Sequence, residues 1–386
     1  MPSLLRGAVA VLGATVGLAL VLAGPAIASA DHIVGHVYTD DNTTGINTIS
    51  GFDRHAGGAL TPIPGSPFIA GGAGTGSGLA SQGAVQVSSD GRYLLAVDAG
   101  SNQISVLRIH SDGRLTLVHS GPVASGGDDP VSLTEHDGLV YVANAGSADS
   151  NYTGFVLGWH GQLEPLPGST FSLPGNAQPG DVLFNSDGRS LVGTRVGTTP
   201  TASAIDSFRV GWDGRLVPAP GSPFPAQGAG PFGSEFRPTD PDQLFVSNAH
   251  NAAPDSGTVS AFGVSRDGTL FSIGASPFPD QQMAPCWVEI THDGRYLFTV
   301  NTASGSISRY SIAPSGSLSL LGSTPVSGGK GVGAVDARLS TDGQTLYVNE
   351  SASGQIGEFA VNGGNLTELG SVPVSTGSGA AGLAVN

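Results

Sequence analysis

Short apolar runs recur along the chain between Asp-Gly and other glycine-containing turns. Examples are YLLAV at 93–97, LVYVA at 139–143, YLFTV at 296–300 and TLYV at 345–348. Short runs rich in Val, Leu and aromatic residues, bounded by turn residues, are typical of β-strands. No long segment after residue 30 shows the helical period of about 3.6 residues. The pattern therefore predicts an all-β protein.

The turns themselves form a repeat with a period of roughly fifty residues, in the range of propeller blades. In each repeat a first Asp-Gly turn joins two apolar runs, and a second turn follows, as in HSDGRLTLV at 110–118. Each repeat thus predicts four antiparallel strands joined by hairpins. The first turn occurs in SSDGRYLLAV (88–97), EHDGLVYVA (135–143), NSDGRSLVG (185–193), THDGRYLFTV (291–300) and STDGQTLYV (340–348), with a degenerate copy, PTDPDQLFV (238–246).

Seven second turns but only six first turns are found, so one blade lacks its first strand. The C-terminal segment AGLAVN, Ala381–Asn386, resembles the start of another repeat and supplies that strand. Pairing the two ends of the chain closes the ring and leaves no open sheet edge. We predict an all-β, seven-bladed β-propeller with four antiparallel strands per blade and a ring closed by pairing of the N- and C-terminal strands.

The first thirty residues have the pattern of a secretory signal peptide. Arg6 precedes the apolar stretch 8–24, and the sequence ASA at 28–30 matches a cleavage site. We expect cleavage near Ala30, a single propeller domain over 31–386, and a secreted, periplasmic or cell-surface protein. No later stretch is long and apolar enough to predict a membrane span. We expect the mature chain to be a monomer.

Charge and cysteine content exclude some classes of partner and site. The formal net charge is −15 and Lys330 is the single lysine, which argues against a nucleic-acid partner because phosphate binding requires clustered cations. One cysteine, Cys286, cannot form an internal disulfide. Stability must therefore come from the packed core.

The repeat pattern SxDGRYLxVxN…ISxFxxxxDGxL resembles the seven-bladed lactonase-type propellers, over nearly all of residues 33–386. This family includes bacterial 6-phosphogluconolactonase and fungal carboxy-cis,cis-muconate cyclase. The resemblance implies a lactonase-type hydrolase or a cycloisomerase. A PRH-like motif of the family is absent, since 179–181 reads PGD and 285–287 reads PCW, and an HPH element is replaced by SQGAV at 81–85. These departures argue against phosphogluconolactone and carboxymuconate as substrates.

The repeat also predicts where a site lies. In each blade the start of the first strand and the end of the second lie on the same face, at the mouth of the central channel, where propeller sites are usually found. The seventh residue before each first-turn glycine is Ala84, Val131, Asp181, Gly233, Trp287 or Asp336. The last residue of each second strand is Asp40, Asp98, Asn144, Arg195, Asn248, Asn301 or Glu350.

Four of these residues break the repeat pattern and are the predicted catalytic residues: Asp181, Arg195, Asp336 and Glu350. Asp181 or Glu350 would act as a general base, and Arg195 would stabilise a developing oxyanion. Asp98 would add to ligand binding on the negative side of the mouth. The recurrent asparagines are interpreted as structural, because Asn side chains at strand ends commonly bond to nearby backbone.

Cys286 and Trp287 lie where the first strand of the sixth blade begins. They are candidate ligand-binding residues, although packing of a small hydrophobic thiol and an indole is the favoured interpretation. No cofactor and no metal site are predicted. Ca²⁺ stays open as an alternative, because an acidic mouth built from Asp40, Asp98, Asp336 and Glu350 would offer oxygen ligands.

Two functions are compatible with these residues. The first is hydrolysis or isomerisation of a small lactone or cyclic ester at the channel mouth. The second is non-catalytic binding of a protein, glycan or small ligand outside the cell. A fold does not decide between them, since function depends on the site that a fold carries.

Overall fold

A computed structural model of the chain describes residues 32–119, 121–148, 150–197, 202–374 and 379–386, and the structural statements below refer to these residues. The predicted signal peptide, 1–30, lies outside them. No helix in the described part of the chain has the length and apolar character needed to cross a membrane.

Seven antiparallel sheets form the blades of a ring, which confirms the predicted all-β, seven-bladed propeller. Blade 1 is closed by the C-terminal strand, and blades 2 to 7 follow in chain order. For blades 1 to 7 the innermost strands are Ala381–Val385, Val85–Val87, Pro130–His136, Pro179–Phe184, Pro231–Arg237, Pro285–Ile290 and Ala334–Leu339. The second strands are Ile33–Asp40, Tyr93–Asp98, Leu139–Asn144, Ser190–Arg195, Asp240–Asn248, Tyr296–Asn301 and Thr345–Glu350.

The outer half of each blade repeats with one variation. The third strands are Thr48–His55, Gln103–Ile109, Asn151–Leu157, Ala204–Val210, Thr258–Val264, Ser306–Ile312 and Gln355–Asn362. The fourth strands are Leu60–Pro62, Leu115–Leu117, Leu163–Pro165, Leu216–Pro218, Leu270–Ser272, Leu318–Pro325 and Asn365–Pro373. In blades 1 to 5 a further short strand pairs with the third strand: Phe68–Ile69, Val123–Ala124, Phe171–Ser172, Phe224–Pro225 or Phe278–Pro279. The two short 3₁₀ helices are Ala99–Ser101 and His250–Ala252.

The ring is closed where the C-terminal strand pairs with the first strand of the chain. Val37 lies opposite Val385 and Tyr38 opposite Ala384 in an antiparallel ladder. Leu383 is fully buried between blades 1 and 7 and belongs to the same core cluster as Val37 and Ile356. The predicted closure by Ala381–Asn386 is therefore confirmed.

Tyrosines on the second strands join neighbouring blades. The buried hydroxyl of Tyr141 in blade 3 donates to the carbonyl of Gly214 in the second turn of blade 4, at 2.9 Å. The same bond recurs from Tyr38 to Gly113, from Tyr93 to Trp159 and, across the closure, from Tyr347 to Gly58. Each pairing satisfies a hydroxyl that burial would otherwise leave without a partner.

Replacing Leu383→Ala should weaken the closure. A buried Leu→Ala substitution costs about 2–5 kcal/mol, so we expect the free energy of unfolding to fall by that amount in urea denaturation. Ile46→Ala, at a side chain 63% exposed, is the control and should change it by less than about 0.5 kcal/mol. Equal and small losses for the two variants would show that the C-terminal strand is not packed into blade 1.

Candidate functional site

A short segment crosses the central channel. The backbone of Gln82, which leads into blade 2, donates to the carbonyl of Gly180 in blade 4 at 2.9 Å. Its side-chain Nε2 donates to the carbonyl of Ser234 in blade 5 at 2.7 Å, and its Oε1 accepts from the amide of Val288 in blade 6 at 3.0 Å. Gln82 is thus fixed to three blades besides its own, and we call Ala80–Gly83 the crossing segment.

Local backbone geometry permits the crossing. Ala80 and Gly83 have φ angles of 52° and 81°, so the chain turns sharply before and after Gln82. Gly233 leaves room for the amide, because a Cβ there would lie 2.1 Å from Gln82 Oε1 and 2.6 Å from the carbonyl of Cys286. The SQGAV sequence at 81–85 therefore diverts the chain into the channel and leaves blade 2 with a short inner strand, Val85–Val87.

The crossing segment lies between two cavities of opposite character. The apolar chamber, of about 380 Å³, lies at the predicted mouth, among the starts of inner strands and the ends of second strands. The polar chamber, of about 250 Å³, extends towards the first Asp-Gly turns. Its polar and charged lining consists of Gln82, Gln86, Thr134, Glu135, His136, Asp181, Asn185, Ser186, Glu235 and Arg338.

Asp181 is a carboxylate of the polar chamber beside the crossing segment, since a Cβ at Gly83 would lie 3.9 Å from its Oδ1. Its Oδ2 accepts hydrogen bonds from the amide and hydroxyl of Ser234, at 2.9 and 2.6 Å, and its Oδ1 accepts a longer one from Ser132 at 3.3 Å. Burial raises the pKa of Asp181 to about 7, against the lowering effect of the Ser234 hydrogen bonds. Both protonation states of Asp181 are therefore populated near neutral pH.

Arg338 is the cation of the same chamber. Its Nη1 lies 3.3 Å from Glu289 Oε2 and 3.8 Å from Glu235 Oε2, and its side chain is 29% exposed. Burial lowers the pKa of Arg338, but the charges of Glu289, Asp336, Glu235 and Asp181 outweigh it and raise the pKa above its ordinary value. The guanidinium is therefore permanently charged.

Asp336 is a further carboxylate whose charge acts on Arg338. Its carboxylate accepts one hydrogen bond from the backbone amide of the next residue, Ala337, at 2.8 Å and another from the amide of Leu383 in blade 1 at 3.1 Å. Burial raises the pKa of Asp336 to about 6, although the charge of Arg338 lowers it. Burial also raises the pKa of Glu235 and of Glu289.

One guanidinium faces four carboxyl groups in this part of the channel. Ionising all four would leave an excess of buried negative charge, so the group retains protons at a pH where isolated carboxylates have lost them. The cluster can therefore both accept and donate a proton near neutral pH. That property is required for general acid–base chemistry.

Arg195 does not pair with Asp181. Its Nε and Nη2 donate to Asp206 in the third strand of blade 4, at 2.7 and 2.6 Å, and Asp206 also accepts from Tyr152. Arg195, the predicted oxyanion stabiliser, is thus held in a bidentate ion pair inside its own blade. The cation available to Asp181 is Arg338.

Sequence reasoning missed Arg338, Glu235 and Glu289, although a signal for them exists. Alternate residues of a strand face the same way. These three lie two positions after Asp336, Gly233 and Trp287, residues that the alignment had placed at the channel. Extending the alignment by one strand period would have found them.

Glu350 turns towards its own blade, whereas Asp98 bonds both within blade 2 and across to blade 1. Glu350 Oε2 accepts from Ser353 at 3.2 Å, and its Oε1 lies against Gly357 of the third strand. Asp98 accepts from Ser105 at 2.5 Å and from Asn47 at 2.9 Å, and Asn47 also donates to Asp40. Burial raises the pKa of Glu350 and of Asp98.

The asparagines at the corresponding positions also turn towards the third strand. Asn144 donates to Asn151 and Asn248 donates to Ser260, while the side-chain oxygen of Asn301 accepts from Ser308, each within its own blade. These bonds agree with the structural interpretation of the repeat. Among the residues that the structure describes, no group of three or more His, Cys, Asp or Glu side chains has the geometry to hold a metal ion. The Ca²⁺ alternative stays a prediction without structural support.

Cys286 and Trp287 both pack and line a cavity. The indole Nε1 of Trp287 donates to the carbonyl of Ser81 at 2.8 Å, and its ring meets Phe232 edge-on at 5.3 Å. Cys286 is buried, and burial raises the pKa of its thiol to about 12, so the sulfur is neutral. Both residues form part of the wall of the apolar chamber.

Comparison with solved structures shows the same fold in bacterial proteins. A putative 6-phosphogluconolactonase from Bacteroides uniformis is 19% identical, with a TM-score of 0.72 over 92% of this chain and 99% of that chain. One from Bacteroides fragilis is 20% identical, with a TM-score of 0.68 over 91% and 98%. A periplasmic gluconolactonase from Pseudomonas aeruginosa is 19% identical, with a TM-score of 0.64 over 91% and 98%. At this identity the similarity establishes the fold alone.

No curated protein matches the sequence. The family model described as lactonase, 7-bladed beta-propeller, matches residues 46–155 and 236–380, which together make up more than half of the chain. The seven sheets of the structure agree with the seven blades named in that description. The chain therefore belongs to the lactonase family of seven-bladed β-propellers.

Proposed function

We propose that the protein hydrolyses a small, uncharged, hydroxylated lactone in the polar chamber. The observation that carries the proposal is the placement of Asp181, whose pKa is about 7, in one cavity with the permanently charged Arg338. Family membership supports ester-ring hydrolysis as the reaction class. The P. aeruginosa neighbour, named a gluconolactonase, supports a sugar-type lactone.

The charge of the chamber limits the substrate. Four carboxyl groups surround a single guanidinium, so an anionic substrate such as a phosphorylated lactone would meet net repulsion. A neutral lactone avoids that penalty, and its hydroxyl groups can bond to Gln86, Thr134 and the carboxylates. We therefore expect an unphosphorylated substrate.

In the proposed reaction, Asp181 acts as the general base. Its Oδ1 carries a single long hydrogen bond and is the oxygen available to take a proton from water, while Ser234 holds Oδ2. The water oxygen bonds to the lactone carbonyl carbon, and the carbonyl π electrons move to oxygen as an oxyanion that Arg338 stabilises.

Collapse of this intermediate breaks the ring C–O bond. The leaving alkoxide takes a proton from Glu235, a group that burial keeps protonated to a higher pH than an isolated Glu. The product is the open-chain hydroxy acid. The carboxyl proton of this product is lost to solvent, and transfer of the proton on Asp181 to Glu235 restores the starting state of the cluster.

Export is the second part of the proposal. The signal-peptide pattern of residues 1–30 supports it, and the P. aeruginosa neighbour is periplasmic by name.

Removing the base should abolish turnover. A positioned general base contributes roughly 10²–10⁴-fold to the rate. After correction for spontaneous hydrolysis of the lactone, we therefore expect Asp181→Asn to lower kcat/KM for glucono-δ-lactone at least about 100-fold. Arg338→Gln should lower kcat by a similar factor. Asp280→Asn is the matched control, because Asp280 is a buried Asp with a pKa raised to about 6 that bonds to Tyr310 away from the polar chamber.

Full activity in Asp181→Asn and Arg338→Gln would overturn the assignment of the base and the cation. Absence of turnover by the wild-type protein on a panel of neutral lactones would overturn the proposed reaction itself.

The pH dependence has opposite signs for activity and stability. The base must be ionised, so kcat/KM should rise as pH increases through about 7. The raised pKa means that the folded state binds a proton more tightly than the unfolded chain. Its stabilising contribution is complete below about pH 4 and lost as pH rises through 7. Asp181→Asn should flatten the fall in unfolding free energy over this range in urea titrations, and an unchanged slope would contradict the placement of Asp181.

The export proposal predicts a defined N-terminus. Protein recovered from the periplasm or medium of an expressing bacterium should begin near Asp31 by N-terminal sequencing. Recovery only of a chain that retains residues 1–30 would contradict cleavage near Ala30.

A further inference from the structure

The apolar chamber has no role in the proposed hydrolysis. It lies on the opposite side of the crossing segment from Asp181 and Arg338, and blades 1, 5, 6 and 7 contribute to its wall together with Leu79–Ser81. Its volume of about 380 Å³ lies within the range of roughly 300–1,000 Å³ of small-molecule pockets.

The chemistry of its wall is uniform. Phe232, Trp287, Val335 and Leu79 supply the large apolar surfaces, and the remaining residues are small. None of the lining residues is Asp, Glu, Lys, Arg or His, and the thiol of Cys286 is neutral. In a chain with a formal net charge of −15, a cavity without charged walls selects against ionic ligands, because an ion would lose hydration without gaining a partner.

The aromatic wall is rigid before any ligand arrives. The hydrogen bond from Trp287 to Ser81 fixes the indole, and Phe232 supports it edge-on. Trp287 and Phe232 are 4% and 8% exposed, so neither needs to become ordered upon binding. Preorganisation of this kind lowers the entropic cost of binding an apolar molecule.

Small residues keep the space open. Ala284 and Ala303 of blade 6 and Ala380 and Gly382 of blade 1 border the cavity with little side-chain volume. The serine and threonine hydroxyls at Ser81, Thr302 and Ser351 are the polar groups in the wall. A few such groups in an apolar cavity orient a ligand without requiring charge on it.

We propose that the apolar chamber is a second binding site, separate from the polar chamber, for one uncharged and largely apolar small molecule of the aromatic or short-chain acyl type. The site does not depend on hydrolysis in the polar chamber. Gln82 separates the two cavities through its bonds to Gly180, Ser234 and Val288, so a ligand here need not enter the polar chamber.

The test uses the tryptophan of the wall as the reporter. Trp159→Phe combined with Trp212→Phe removes the two tryptophans that are 74% and 101% exposed and leaves Trp287 alone. Titration with the neutral probe N-phenyl-1-naphthylamine should quench Trp287 emission in a saturable, one-to-one manner. The anionic relative 8-anilinonaphthalene-1-sulfonate should bind at least about tenfold more weakly, because the wall offers its charge no partner.

Ala303→Phe should weaken the neutral probe at least about tenfold by filling the chamber. Ala303 is only partly buried, so the larger side chain can extend into the chamber. Phe271→Ala is the control, at an apolar residue on the outer strand of blade 5 that is 57% exposed, and it should leave binding unchanged. Thermal melting monitored by circular dichroism checks that each variant is folded.

The proposal is overturned if binding does not saturate, if folded Ala303→Phe binds as well as wild type, or if the two probes bind equally. Lactone turnover can fail independently of every one of these outcomes.

Discussion

Three hydrogen bonds of Gln82 determine how the channel of this propeller is divided. A seven-bladed ring leaves a central opening bounded by parallel inner strands. In this chain that opening is crossed by backbone and amide groups that reach Gly180, Ser234 and Val288 on the far side. Because Ser234 in turn binds the carboxylate of Asp181, the crossing also fixes the proposed base. The apolar mouth and the charged interior follow from this partition.

The second constraint is electrostatic. Burying Asp181, Glu235, Glu289 and Asp336 around Arg338 costs desolvation that one guanidinium offsets only in part. The rest of this desolvation cost is reduced because the carboxyl groups keep their protons to a higher pH, with pKa values of about 7 for Asp181 and about 6 for Asp336. A cluster built only for stability would gain from apolar replacements, so its retention at a cavity is consistent with acid–base work.

The repeat made most of the fold predictable. Asp-Gly turns at a regular spacing predict the blades, and the excess of second turns over first turns predicts the ring closure. The second strands end at the residues that the alignment indicates, such as Asn144 and Glu350. These features are set by local turn chemistry and by strand periodicity, which a single sequence displays. The family resemblance drawn from the same motifs is confirmed by the family model.

The site was less predictable, because its contacts are not local. Nothing in SQGAV shows that Gln82 leaves its blade, since its partners Gly180, Ser234 and Val288 lie between 98 and 206 positions away in sequence. Arg195 stands at the predicted strand end, yet its partner Asp206 comes from the third strand, which the alignment of first and second strands did not include. Trp287 was assigned to packing or to lining, and its burial against Phe232 at the edge of a cavity makes both descriptions correct.

The titration of Asp181 tests the account most directly. In protein labelled with ¹³C at aspartate carboxyl carbons, the resonance that disappears in Asp181→Asn can be followed by NMR against pH. The account predicts a midpoint at about 7. A midpoint near the ordinary value of about 3.9 would show a solvated carboxylate and contradict the proposed base.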